Sequence, residues 1–435
     1  MLTLLLLGCE PRDDCGAEIC NAEATIREDV PTVLTVTWTT SEPTVGHVEF
    51  GEAASLDLVT SDDPEPTTEH THSLVGLPGG TEIFFKVVDE SGESPVLTKA
   101  NGGLPTYLPE FATEGEGNLG GYVVTVLEGS VWGPIILDAD GRIVWWDVAT
   151  DLYAVTRAYL SHDGKSVLYN ESNDRSQDYA DMEEAYVVRV MLDGSGETRI
   201  PLPYLSHDFV ELPGGEIVGI ARDQQAVGDT TYLGDKLTEV ATDGSLVDRW
   251  SAFDAWDPAE LGGVDAARGT WTHANAVDYE PDTDSFLVGL RNFASIVRVS
   301  RQTGEVSWTF GGLVGEQRPE SGDGELDTYH QFELADGKLL AFDNGDPTRG
   351  YSRLVEYDVG DGTGAVTKTW EWTEDPPAYV AILGDANRLD GGDVVSSLSL
   401  SGKLVRVSPA GDLVFTAAVD IGFGLGYAQL VDSLY

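Results

Sequence analysis

One hairpin recurs through most of this chain, and its spacing constrains the fold more than any other feature. It reads strand, Asp-Gly or Thr-Gly turn, strand, terminal aromatic, in "ILDADGRIVWW", "VMLDGSGETRI", "EVATDGSLVDRW", "RVSRQTGEVSWTF", "GDGTGAVTKTW" and "RVSPAGDLVF". The turn glycines are 141, 196, 244, 304, 364 and 411, so successive copies lie 47 to 60 residues apart. A second hairpin leads most units: "AYLSHDGKSVLYN", "DFVELPGGEIVGIA", "AVDYEPDTDSFLVGL", "FELADGKLLAFDNG" and "NRLDGGDVVSSL". Two hairpins per unit make four strands, and six such units predict an all-β, six-bladed β-propeller over residues 113–435. The last segment, "GLGYAQLVDSLY", is a strand without a turn of its own. We expect it to pair back into the first blade, which would remove open sheet edges.

Ahead of a Gly- and Glu-rich linker, "LPEFATEGEGNLGG", the texture differs. Short alternating strands, "TVLTVTWTT", "VGHVEFG", "THSLVGL" and "TEIFFKVVDE", predict a small antiparallel sandwich over residues 22–112. The pattern resembles a fibronectin type III domain. His47, His70 and His72 fall here and read as ordinary packed or surface histidines.

All three cysteines lie in "MLTLLLLGCEPRDDCGAEIC". "LLGC" resembles a bacterial lipobox, which implies lipidation of Cys9, a membrane anchor and export to the periplasm or cell surface. Residues 1–21 are then signal, anchor and linker. The apolar run is far shorter than the ~20 residues that span a bilayer and has no Lys or Arg ahead of it, so a longer leader is expected. Once Cys9 is lipidated, Cys15 and Cys20 remain as an even pair able to form a disulfide. The formal charge of −50 repels nucleic acid, and no basic stripe offsets it. Spread along the chain, that charge reads as a solvated surface suited to salty media.

His207, His273 and His330 precede the innermost strand of three consecutive blades, 66 and 57 residues apart. Equivalent positions in a propeller meet at one mouth of its channel, so three imidazoles should converge. Asn275 follows His273 on the same strand face. Arg291 ends the paired strand, which places it beside the start of its partner. His162, in the turn of "LSHDGKS", is expected to be solvated.

Three histidines can hold zinc or copper, with Asp208 as an offsetting carboxylate, although Arg291 would set one cation beside another. That metal site would serve a hydrolase or lyase. The same residues can instead cradle a phosphoryl or sulfuryl group, with one imidazole as nucleophile and another moving a proton. A non-catalytic, lipid-anchored propeller that binds glycan or protein is a third reading.

"SHDF", "THANAV" followed by Arg291, "YHQFELADGKLLAFDNGD" and "LGDANRLDGGDVV" together resemble the bacterial arylsulfate sulfotransferases. The resemblance implies ping-pong sulfuryl transfer from an aryl sulfate donor to a phenolic acceptor, with no nucleotide donor, no cofactor and no metal. It implies that His330 becomes sulfated, that His207 and His273 assist proton transfer and bind sulfuryl oxygens, and that Asn275 and Arg291 bind oxygens too. It departs at one point: no adjacent Lys-Thr pair follows His330, and Lys403 reads as a solvated turn residue.

Overall fold

The computed structural model describes residues 19–149, 154–173, 176, 178–261, 270–319, 325–360 and 362–435, and divides into two compact units. The chain is all-β. Among the described residues no helix is long and apolar enough to cross a membrane.

The described part of the first unit is residues 19–103 with Tyr435. Strands Cys20–Ile26, Leu34–Thr44 and Thr67–Leu74 form one antiparallel sheet. Gly46–Gly51 and Glu82–Asp89 anchor a second. Alternate residues point inward, so Val36, Trp38, Val48, Phe50, Ile83, Phe85 and Val87 build one core between the sheets. Each such side chain contributes roughly 1.5–3 kcal/mol on full burial. His47 lies on a strand and meets Asp62. His70 and His72 both hydrogen-bond Asp63 and stack against Trp38, so they are packed residues.

The second unit spans residues 104–434, and its described residues form six antiparallel sheets of four or five strands. Sheets two to five are simple four-stranded meanders, in which each strand pairs with the next in sequence. Their first strands are Ala158–Leu160, Leu205–Glu211, Ala274–Glu280 and His330–Ala335. Asp-Gly turns close the hairpins because glycine reaches the positive φ required there, as at Gly141 (81°) and Gly244 (83°). Consecutive sheets pack face to face. Leu168 and Val187 share one buried cluster with Phe209 and Ile217, Val218 and Leu237 one with Phe286 and Val288, Leu287 one with Leu339, and Leu354 one with Val394.

The first and sixth sheets borrow strands from the ends of the unit. Gly424–Leu425 and Gln429–Val431 pair with Tyr122–Glu128, so the C-terminal segment joins the first sheet as the sequence led us to expect. The supposed linker is different. Ala112–Gly115 is a strand, pairing Gly115 with Phe415 on the outer edge of the sixth sheet. All four of its residues are exposed, so no apolar alternation marked it.

Candidate functional site

The three histidines head the first strands of sheets three, four and five. Each entry is irregular: the pairing slips between Leu205 and Phe209, between Ala274 and Ala276, and between His330 and Phe332. Bulges of this kind re-aim side chains at strand ends. Backbone strain marks the same places. His273 itself has φ 49°, Tyr204 has φ 66° just ahead of His207, and Thr328 has φ 45° just ahead of His330. Non-glycine residues adopt this region only when their surroundings hold them there.

His330 is almost fully buried, and its Nδ1 lies 2.7 Å from Asn344 Oδ1. The Asn344 amide cannot usefully turn over, because its Nδ2 donates to the carbonyls of Val380 (2.8 Å) and Leu383 (2.9 Å). An oxygen therefore faces His330 Nδ1, and that ring nitrogen must carry the hydrogen. The lone pair is left on Nε2. Burial first, then the charge of Arg291, pushes the His330 pKa down to about 3, against the opposing hydrogen bond to Asn344. The ring stays neutral and keeps that lone pair at any physiological pH.

His207 is oriented in the opposite sense. Arg222 Nη2 approaches its Nδ1 at 3.4 Å, and a guanidinium can only donate. Nδ1 of His207 is thus an acceptor, and in the neutral ring the hydrogen sits on Nε2. Arg222 is itself fixed by a buried ion pair with Asp235 at 2.7 Å. Asp235 also accepts from the Thr272 hydroxyl (2.5 Å) and the Ala274 N–H (2.7 Å), on either side of His273. One Arg-Asp pair thereby sets both rings, whose centres lie 4.7 Å apart. Burial drives the His273 pKa well below its ordinary value, helped by His207, Arg222, Arg291 and His330. His273 Nδ1 meets the Thr270 hydroxyl at 2.9 Å.

Arg291 follows the second strand of sheet four, and its N–H donates to the His273 carbonyl. Its charge depresses both His273 and His330, which places Arg291 beside those two imidazoles. Asn275 is fully buried, and its Nδ2 donates to the Tyr329 carbonyl at 2.8 Å. It braces the backbone immediately ahead of His330. Its own carbonyl accepts from the Tyr427 hydroxyl at 2.9 Å, on the C-terminal segment.

Beneath the imidazoles, Asp208 ties the three strands to one another. Its carboxylate accepts from Phe209 N (2.9 Å), from Val277 N on the His273 strand (2.9 Å) and from Gln331 Nε2 beside His330 (3.1 Å). Arg157 lies 3.5 Å away as its counter-ion. Burial nevertheless dominates and lifts the Asp208 pKa to about 6.

Asn344, Arg222 and Asp235 were not singled out from the sequence. Asn344 stands in the quoted "FDNGD", but only the fold reveals what its amide faces. Among the described residues, no group of three or more His, Cys, Asp or Glu is placed to hold a metal ion. His162 is an exposed turn residue, with its Nε2 at 3.0 Å from the Glu211 carbonyl. Lys403 is not a free turn residue: it opens a strand and pairs with Glu374 at 2.5 Å. Cys20 is disulfide-bonded, while Cys9 and Cys15 lie outside the described residues.

The arylsulfotransferase (ASST) family model matches residues 122–408, well over half of the chain. Arylsulfate sulfotransferase AssT of Escherichia coli is 23% identical over 313 residues, covering 54% of this chain and 52% of that protein. The chain thus spans about half the length of this curated relative. Solved structures overlap loosely. A protein of unknown function from Bacteroides caccae gives TM-score 0.44 at 12% identity, over 72% of this chain and 98% of that one. Virginiamycin B lyase from Staphylococcus aureus gives 0.41 at 12%, over 74% and 100%.

Proposed function

This chain belongs to the arylsulfotransferase family, and we propose that it transfers a sulfuryl group from an aryl sulfate to a phenolic acceptor in two steps through sulfated His330. The observation that carries this reading is the fixed tautomer of His330. The orientation of Asn344 leaves a lone pair on Nε2, and the depressed pKa keeps it unprotonated.

In the first step the His330 Nε2 lone pair forms a bond to sulfur as the sulfur–oxygen bond to the aryl group breaks, and the phenoxide departs with that electron pair. A loose transition state spreads negative charge over the sulfuryl oxygens, so preorganised donors do most of the work. Arg291 and the Nε2–H of neutral His207 supply them. In this reading His207 acts as a hydrogen-bond donor rather than a proton donor, because Arg222 occupies the nitrogen that would have to accept a second proton. In the second step the acceptor phenol gives up its proton through His273 to solvent, its oxygen bonds to sulfur, and the nitrogen–sulfur bond breaks to restore His330. Asn275 serves chiefly by holding the Tyr329 carbonyl, immediately ahead of His330.

The remaining expectations complete the proposal. The six sheets are read as blades of a propeller over residues 113–435, supported by their sequential face-to-face packing. The sandwich of residues 22–112 is read as fibronectin type III-like. Residues 1–21 are read as an export signal and a lipid anchor at Cys9 on a bacterial membrane, with Cys15 bonded to Cys20. Purified protein given a chromogenic aryl sulfate alone should release at most one equivalent of chromophore per chain, should turn over continuously only when a phenol is added, and should then accumulate phenyl sulfate in equal amount. Chromophore release matched by free inorganic sulfate, with no sulfated phenol, would make the protein a hydrolase instead.

A further inference from the structure

A second cavity lies within the propeller-like unit, and none of the three site imidazoles lines it. It encloses about 630 Å³, and the first strands of sheets two to five border it. At its inner end is Arg157. The preceding residue, Thr156, donates its hydroxyl to the His207 carbonyl at 2.7 Å, so Arg157 lies just under the histidine cluster. At the outer end is His162, whose N–H donates to Glu211.

Arg157 is 7% exposed and its Nη1 has no hydrogen-bond partner. A buried donor left unmade costs ~1–3 kcal/mol, more when charged. The guanidinium lies 3.9 Å over the Tyr159 ring, and both side chains line the cavity. Further out stand two carboxylates. Among the described residues, Asp278 accepts a backbone N–H from Tyr279 (2.8 Å) and Glu333 one from Arg388 (2.8 Å), which leaves each an oxygen for a ligand donor. Burial raises the pKa of both. Phe332 and Tyr279 add aromatic surface to the wall.

This set discriminates between ligand classes. A free anion would meet Asp278 and Glu333 while Arg157 is already neutralised by Asp208. A cation would be driven toward a guanidinium. A neutral molecule whose hydroxyls both donate and accept satisfies every group at once, and one apolar face would lie against the rings. The volume falls within the range of small-ligand sites. We propose that this cavity is a saccharide-binding site, with Arg157 donating to a ring or hydroxyl oxygen and Asp278 and Glu333 accepting from hydroxyls. It does not depend on the sulfuryl-transfer reading.

The test is calorimetric titration of the full chain with cellobiose, maltose and N,N′-diacetylchitobiose, with sodium sulfate and putrescine as charged probes. We expect saturable binding of at least one disaccharide, at least tenfold weaker in both Asp278→Ala and Glu333→Ala, with turnover of aryl sulfate unchanged. Those two side chains are only partly buried, so both variants should fold. No heat with any disaccharide, binding indifferent to both substitutions, or binding confined to sulfate or putrescine would each overturn the proposal.

Discussion

Asn344 Oδ1 sits 2.7 Å from His330 Nδ1, and the other end of the same amide is held by the carbonyls of Val380 and Leu383. A side chain pinned at both ends dictates where the imidazole proton goes. Asn344→Leu releases the ring to place its hydrogen on Nε2, which removes the nucleophilic lone pair. Loss of tautomer control in a comparable catalytic imidazole costs up to ~10⁴-fold in rate. We expect a fall of roughly 10²–10⁴-fold in the rate of chromophore release, with the protein still folded by circular dichroism. A fall below tenfold would leave the tautomer irrelevant.

Arg222 is expected to act through His207 rather than on substrate. In Arg222→Met, Nδ1 of His207 loses the donor that keeps it from taking a proton, and Asp235 is left as an uncompensated buried charge. Breaking such a pair costs ~3–5 kcal/mol of stability. The informative readout is the pH profile. An acid-side inflection in kcat that the parent lacks should appear. An unaltered profile at reduced stability would give Arg222 a purely structural role.

The pH dependence of stability has opposed contributions, and His273, whose pKa burial also lowers, acts in the same sense as His330. His330 is held at about 3 when folded against an ordinary 6.5, so between those values the unfolded chain binds a proton that the folded chain does not, and stability falls as pH falls. Asp208 and Asp385 are raised to about 6 from an ordinary 3.8, so in that window the folded chain binds more protons, and their contribution rises as pH falls. His330→Gln removes the His330 contribution alone. Urea midpoints measured from pH 7 to 4 should therefore decline less in the variant than in the parent. A steeper decline in the variant would contradict the assigned direction for His330.

With a formal charge of −50, the surface repels an anionic aryl sulfate before it reaches Arg291. Raising ionic strength from ~0.01 to ~0.15 M shortens the screening length from ~30 to ~8 Å. KM for the donor should fall over that range while kcat changes little. A rising KM would mean that attraction by the site outweighs repulsion by the surface.

The repeat was legible because turn glycines and the hydrophobic rhythm between them are local. The register of His207, His273 and His330 followed from it, as did the pairing of the C-terminal segment with Tyr122–Glu128. The strand Ala112–Gly115 was not legible, since it buries no side chain and its pairing partner lies some three hundred residues away. Asn344, Arg222 and Asp235 were hidden for a different reason. Their partners belong to other strands or other sheets, and only the bulged strand entries bring them to the imidazoles. Asn275 shows the limit within a motif: its spacing placed it beside His273, but not that its amide would be spent on the Tyr329 carbonyl.

The most direct test of the account is intact-protein mass spectrometry after mixing with an aryl sulfate and no acceptor, quenched under alkaline conditions. The account expects a gain of one sulfuryl group, mapped by peptide fragmentation to His330, lost on addition of a phenol and absent in His330→Ala. An unmodified protein that still sulfates phenols, or a sulfuryl group mapped to another residue, would contradict it.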